Sequence, residues 1–174
     1  MSKSYLMNSF QESYCELFHS LCSEKTIVNY YHMTIQYKNH EKGIDCLERT
    51  FTKFYMSKLL PYLMRTRDYQ ELRLDQPITM GFIEKGKTGR LHTHSIIAST
   101  KYTVEALDNI FNLCEQKEIG SLNNELLNSY FKFKDIESVK ITKPDLRTIL
   151  GYITKDVTQF ESHFHLFPDR LVNP

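Results

Sequence analysis

The sequence predicts an α+β fold, with helices packed on an antiparallel sheet, and three patterns point there. Apolar residues recur at helical spacing near both ends: Phe10, Tyr14, Leu17, Phe18 and Leu21, then Leu146, Ile149, Leu150, Ile153 and Val157. Between them lie short runs rich in β-branched and aromatic residues, the composition of strands. Two of those runs are joined by the Gly-containing turn KGKTGR, which makes an antiparallel hairpin. Helices interleaved with strands in this order suit a layer of helices on a sheet.

Taken in order, residues 8–23 form an N-terminal helix, and Tyr30 to Tyr37 (YYHMTIQY) form a strand. A long helix follows from about Gly43 to Arg65, which Pro61 bends or shortens. Residues 78–84 (ITMGFIE) and 91–98 (LHTHSIIA) are the two strands of the hairpin. Residues 103–118 read as helix, Leu122 to Leu127 as a shorter one, and Tyr130 to Ile141 as strand-like stretches. Pro144 suits the first turn of the final helix. The tail, about 159–174, reads as irregular. With no internal repeat and no Pro/Gly-rich linker, residues 1–174 make a single domain.

Composition narrows the function. Hydrophobic residues are 41% and charged residues 25%, which argues for a folded globular chain and against disorder. No run approaches the roughly 20 apolar residues of a membrane span. The start, MSKSYLMNSFQESY, has no apolar signal-peptide core. Cys15, Cys22, Cys46 and Cys114 form no CxxC pair, so reduced thiols in an intracellular setting are expected, with no membrane partner. A net charge of +1 excludes bulk electrostatics as the source of nucleic-acid affinity. Any such binding must use local clusters: Lys85, Lys87 and Arg90; Lys132 and Lys134; or Lys140, Lys143 and Arg147.

The sharpest chemical feature is Glu84 followed by His92-Thr93-His94. Side chains at i and i+2 of a strand share a face, so both imidazoles project together. A tight turn through 85–90 brings Glu84 beside them from the neighbouring strand. Two imidazoles and a carboxylate with open positions suit Mn²⁺ or Mg²⁺ bound to a phosphate substrate, and ligand type leaves Zn²⁺ open. Glu41 and Glu48 remain alternative carboxylates, and Asp156 lies one turn from the next residue of interest. That residue is Tyr152, which with Lys155 forms a Tyr-x-x-Lys pair on the final helix, displaced from its apolar stripe. A phenol, with an ordinary pKa of about 10, becomes a nucleophile when its phenolate is stabilised. A nearby ammonium and a metal ion can supply that.

Other patterns carry less. Gly81 to Thr88 matches GxxxxGK[ST], but its interior is strand-like and no helix follows, so nucleotide binding there is not expected. Cys15, His19 and Cys22 share helical spacing and read as ordinary helix side chains. His163-Phe164-His165 reads as tail or surface. His32-x-Thr34 is half of a two-histidine phosphoesterase signature, without a second half.

Together the segments resemble the HUH replication initiators of small single-stranded DNA viruses and rolling-circle plasmids. HMTIQY (His32 to Tyr37) is similar to that family's first motif, Glu84 with His92 and His94 to its second, and Tyr152 with Lys155 to its third, over about 30 to 156. The resemblance implies an RRM-like or ferredoxin-like sheet of about five strands. It implies a metal-dependent endonuclease and strand-joining enzyme whose catalytic residues are Tyr152 and Lys155. The tyrosine cuts single-stranded DNA at a replication origin, keeps a 5′-phosphotyrosine link and releases a 3′-OH primer. Lys85, Lys87, Arg90, Lys143 and Arg147 are then the candidate DNA contacts. The helicase that such initiators use is then either a further domain from which this one was excised or, with the polymerase, a host protein, in the cytoplasm of a prokaryote or the nucleus of a eukaryote. Thr93 departs from the pattern, where that family has a bulky apolar residue. Two other functions compete: a single-tyrosine transposase or relaxase of the same chemistry, and a non-catalytic RRM-like module.

Overall fold

Side chains of β1 (Ile27–Tyr37) alternate between two unlike faces, and this alternation organises the molecule. Tyr31, Met33, Ile35 and Tyr37 are buried on one face, while His32, Thr34 and Gln36 lie on the other. The structure, a computed structural model, describes residues 8–38, 43–66, 74–86, 88–115, 135–155 and 164–167. Its other strands are β2 (Ile78–Lys85), β3 (Leu91–Thr100), β4 (Ile136–Thr142) and β5 (Phe164–Phe167). They form one antiparallel sheet in the order β4-β1-β3-β2-β5, so β3 is central and β1 and β2 flank it. Helices pack on this sheet in an α+β fold consistent with the RRM-like layout.

The face carrying Tyr31, Met33, Ile35 and Tyr37 is covered by α2 (Ile44–Phe54), a π-helical turn (Tyr55–Leu59), α3 (Leu60–Met64) and α4 (Val104–Glu115). Phe51, Phe54, Leu59 and Leu63 fill that layer, and burial of each contributes about 1.5–3 kcal/mol. The π turn is where the single predicted helix departs from regularity. Pro61 has no N–H and its ring crowds the carbonyl four residues back, and the widened turn just before it relieves both. Two buried hydroxyls behind the strands are satisfied here: Thr79 pairs with Tyr55, and Thr93 with Tyr37. The second pair accounts for a threonine between the two histidines of β3.

The opposite face is only half covered by the described residues. There α1 (Ser9–Ser23) and α5 (Leu146–Ile153) pack Tyr14, Phe18, Ile149, Leu150 and Ile153 on Ile78, Met80, Phe82, Ile96 and Ala98. Asn8 and Gln11 cap α1 reciprocally, and Asp145 caps α5 by accepting from the Thr148 N–H at 2.9 Å. Pro144 therefore precedes the cap instead of sitting in the first turn. Cys15 and His19 lie apart from any metal cluster among the described residues. Among those residues no helix is long and apolar enough to cross a membrane.

The C-terminal expectation is corrected. His165 is not tail or surface: it is buried on β5, opposite Gly81 of β2, with its ring 4.7 Å from that of Phe51. Gly81 to Lys85 lie within β2 and the turn leads into β3, so the GxxxxGK[ST] pattern opens no helix. Residues 116–118, Leu122 to Leu127, Tyr130 to Lys134, Asp156, Val157 and His163 lie outside the described residues.

Gly81 is needed for close approach. A Cβ there would stand 2.6 Å from Ser95 Oγ and 3.3 Å from the His94 carbonyl oxygen. Gly81→Ala is expected to destabilise by about 1–3 kcal/mol through overpacking. Thermal unfolding reads this as a fall of roughly 3–10 °C. An unchanged melting temperature would show that the strands spread without cost.

Candidate metal centre

The uncovered half of the sheet gathers polar side chains because of strand register. Glu84 on β2 is paired with His92 on β3, and His94 on β3 with Thr34 on β1. Lys140 on β4 is paired with Thr34 from the other side. Residues two apart share a face, so His32, Thr34, Glu84, His92 and His94 all project to the same side. The hairpin turn that sets the β2–β3 register closes through Gly86 and Arg90, with Gly89 at φ 80°, a conformation suited to glycine.

Three nitrogens converge on one carboxylate oxygen, Glu84 Oε1. His92 Nε2 lies 2.7 Å away, His94 Nε2 3.0 Å and Lys155 Nζ 3.0 Å. The Glu84, His92 and His94 ligand atoms all fall within 4.8 Å of one another, so this cluster could hold a metal ion. Glu48, by contrast, sits on α2 beside a groove of that helical layer, and Glu41 lies outside the described residues. The fit to a metal rests on His94. Its Nε2 is buried 3.0 Å from Glu84 Oε1, yet the contact lacks hydrogen-bond geometry, leaving the nitrogen without an aligned hydrogen bond. Two imidazoles and one carboxylate are the donor set that divalent transition ions accept.

Electrostatics favour the binding forms of Glu84 and His94. Burial pushes the Glu84 carboxyl up, but the His92, His94 and Lys155 groups crowded on it outweigh burial and hold it well below the carboxylate range. Burial pushes His32 down to about 4, with His94 and Lys140 adding to the effect. His94 is also lowered, again by burial first, against the opposing pull of Glu84. Burial alone would lower Lys155, but Glu84 raises it above the ordinary ammonium value, so it stays charged.

Tyr152 is 43% exposed on α5, beside this cluster. Its ring centroid lies 5.1 Å from that of His94 and 6.1 Å from that of His32, edge to face with both. Lys155 Nζ sits 3.9 Å from the Tyr152 ring centroid while also reaching Glu84. Lys155 is not in the helix as the sequence suggested: α5 ends at Ile153, and Lys155 follows the cap at Thr154. That end is anchored from α1, where the Gln11 side-chain amide donates to the Thr154 carbonyl at 2.6 Å.

A pocket of about 600 Å³ opens beside the cluster, lined by His32, Thr34, Gln36, His94, Lys140 and Tyr152 among others. His32, Thr34 and Lys140 are among the lining side chains that sequence reasoning did not assign to the site. The signal for His32 was its i, i+2 spacing with Thr34. Among the proposed DNA contacts, Lys85, Arg90 and Arg147 are exposed, and Lys87 lies outside the described residues. Lys143 is not brought to the site. It pairs with Asp108 on α4 at 2.7 Å and lies over the rings of Tyr31 and Phe111.

No protein-family model matches this chain, and no curated protein or solved structure matches it.

Proposed function

We propose that the protein is a divalent-metal-dependent nuclease that nicks single-stranded DNA through Tyr152 and rejoins it by the reverse step. One observation carries the reading: an exposed tyrosine and a charged lysine stand at the edge of the Glu84/His92/His94 cluster that could hold a metal ion, beside an open pocket lined by His32, Thr34, Gln36 and Lys140 among others. Glu84, His92 and His94 would hold Mn²⁺ or Mg²⁺. When bound, the ion supplies polarisation of the scissile phosphate and neutralises its charge.

The chain's own residues do the rest. Tyr152 Oη attacks phosphorus and forms the new P–O bond, while the bond from phosphorus to the 3′ oxygen breaks. The phenol proton passes to water, and the departing oxygen takes one up as a 3′-OH. The 5′ phosphate stays on Tyr152. Lys155, held charged by Glu84, stabilises the phenolate and the phosphate oxygens. Lys140 and the hydroxyls of Thr34, Ser138 and Thr142 offer contacts to the strand. A released 3′-OH that primes synthesis fits a role in starting rolling-circle replication at an origin.

The test is a labelled single-stranded oligonucleotide pool incubated with the protein and Mn²⁺, then resolved on a denaturing gel. A covalent adduct that EDTA abolishes is the expected result. Metal-independent binding without an adduct would replace this reading with a non-catalytic RRM-like module.

A further inference from the structure

Behind the metal cluster His94 has a second set of partners, set by strand pairing and not by the hairpin. Its Nδ1 lies 3.0 Å from His32 Nε2 and 3.0 Å from Thr34 Oγ1, both on β1. The His32 and His94 rings are stacked at 5.1 Å between centroids, which fixes the plane of one against the other. Thr34 Oγ1 and His32 Nε2 are themselves 3.4 Å apart, so the three atoms form one connected group.

A neutral imidazole carries one N–H, and the two placements compete. With the proton on Nε2, His94 would donate toward Glu84, but that direction is misaligned and Nε2 has no aligned partner. With the proton on Nδ1, His94 donates to acceptors at 3.0 Å and leaves the Nε2 lone pair facing Glu84 and His92. Only the second form can ligate through Nε2. We propose that His32 and Thr34 are positioning residues that hold His94 in the Nδ1–H tautomer, with its Nε2 lone pair aimed at the metal ion. His32 and Thr34 need not touch the ion; they act through His94, as partners behind metal-bound histidines do.

The inference rests on Glu84, His92 and His94 forming a metal centre, and not on the chemistry of Tyr152. Its test is therefore done without DNA. Mn²⁺ affinity is measured by titration calorimetry for the unaltered protein, His32→Ala and the double variant His32→Ala/Thr34→Val. The single variant is expected to bind about 10-fold more weakly and the double variant about 100-fold. Nitrogen-15 NMR of the metal-free protein reads the tautomer directly: Nδ1–H for His94 in the unaltered protein, and a mixture in the double variant. Should the double variant lose its cooperative melt, the single variant and the tautomer of the unaltered protein carry the test.

Affinity in the variants within twofold of the unaltered protein would overturn the proposal, as would an Nε2–H tautomer in the unaltered protein. An unaltered protein that binds no divalent ion would overturn it too. If the affinity and tautomer outcomes hold while Tyr152 forms no adduct, the nuclease reading fails and this one stands.

Discussion

Tyr152→Phe is expected to remove the covalent DNA adduct entirely while leaving strand binding and the fold intact. The substitution deletes one oxygen and keeps the ring. The edge-to-face contacts with His94 and His32 and the Lys155 contact over the ring all survive. With 43% of the tyrosine exposed, no large cavity forms. Melting temperature should move by less than about 2 °C, the effect of a change well under 1 kcal/mol in a chain of this size. Nicking should fall by more than roughly 10,000-fold, the scale on which losing a nucleophile acts when metal and binding contacts remain. Gel-resolved adduct and cleavage rate measure this side by side. An adduct that persists in the phenylalanine variant would assign the nucleophile elsewhere.

Glu84→Gln is expected to abolish useful metal affinity, for a different physical reason. The amide keeps the volume but loses the charge, and one of its two terminal atoms becomes a donor that cannot ligate a cation or accept from the Lys155 ammonium. Lys155 then loses the carboxylate that raises its pKa, and its ammonium is left beside two imidazoles. Mn²⁺ affinity should fall by more than about 100-fold, or roughly 2.8 kcal/mol. The loss has a second readout. At a metal concentration of 100 times Kd, the unaltered protein gains about 2.7 kcal/mol of stability. That corresponds to roughly 5–10 °C in melting temperature. The glutamine variant should show almost none of that shift. A full metal-induced shift in the variant would remove Glu84 from the ligand set.

The parts of the site that the sequence revealed are those fixed by local rules. His92 and His94 share a face because a strand has period two, and Glu84 joins them because a short glycine turn sets the register. Tyr152 lies off the stripe of Ile149, Leu150 and Ile153 because of helical period alone. What stayed hidden depends on non-local pairing. His32 reaches His94 only because β1 lies against β3 in one register across 62 residues of chain, and nothing near His32 states that register. β5 was missed for the same reason: four residues carry little pattern, and their strand character comes from lying along β2. Lys143 looked like a DNA contact beside Lys140 and Arg147 in a basic run. Its partner Asp108 on α4 was not visible from the sequence around it.

Under the proposed nuclease chemistry, the hydrogen bond from Gln11 to Thr154 would give the first helix a stake in a centre to which it contributes no ligand. It spans 143 residues of sequence and fastens the backbone one position before Lys155. Small errors in that lysine's placement matter, since a shift of about 1 Å far from the reacting atoms can cost roughly 100-fold in rate. Selection for a working centre would therefore reach back to an amide on the outer layer, and a neutral-looking change at residue 11 would register first as slowed turnover with metal affinity preserved.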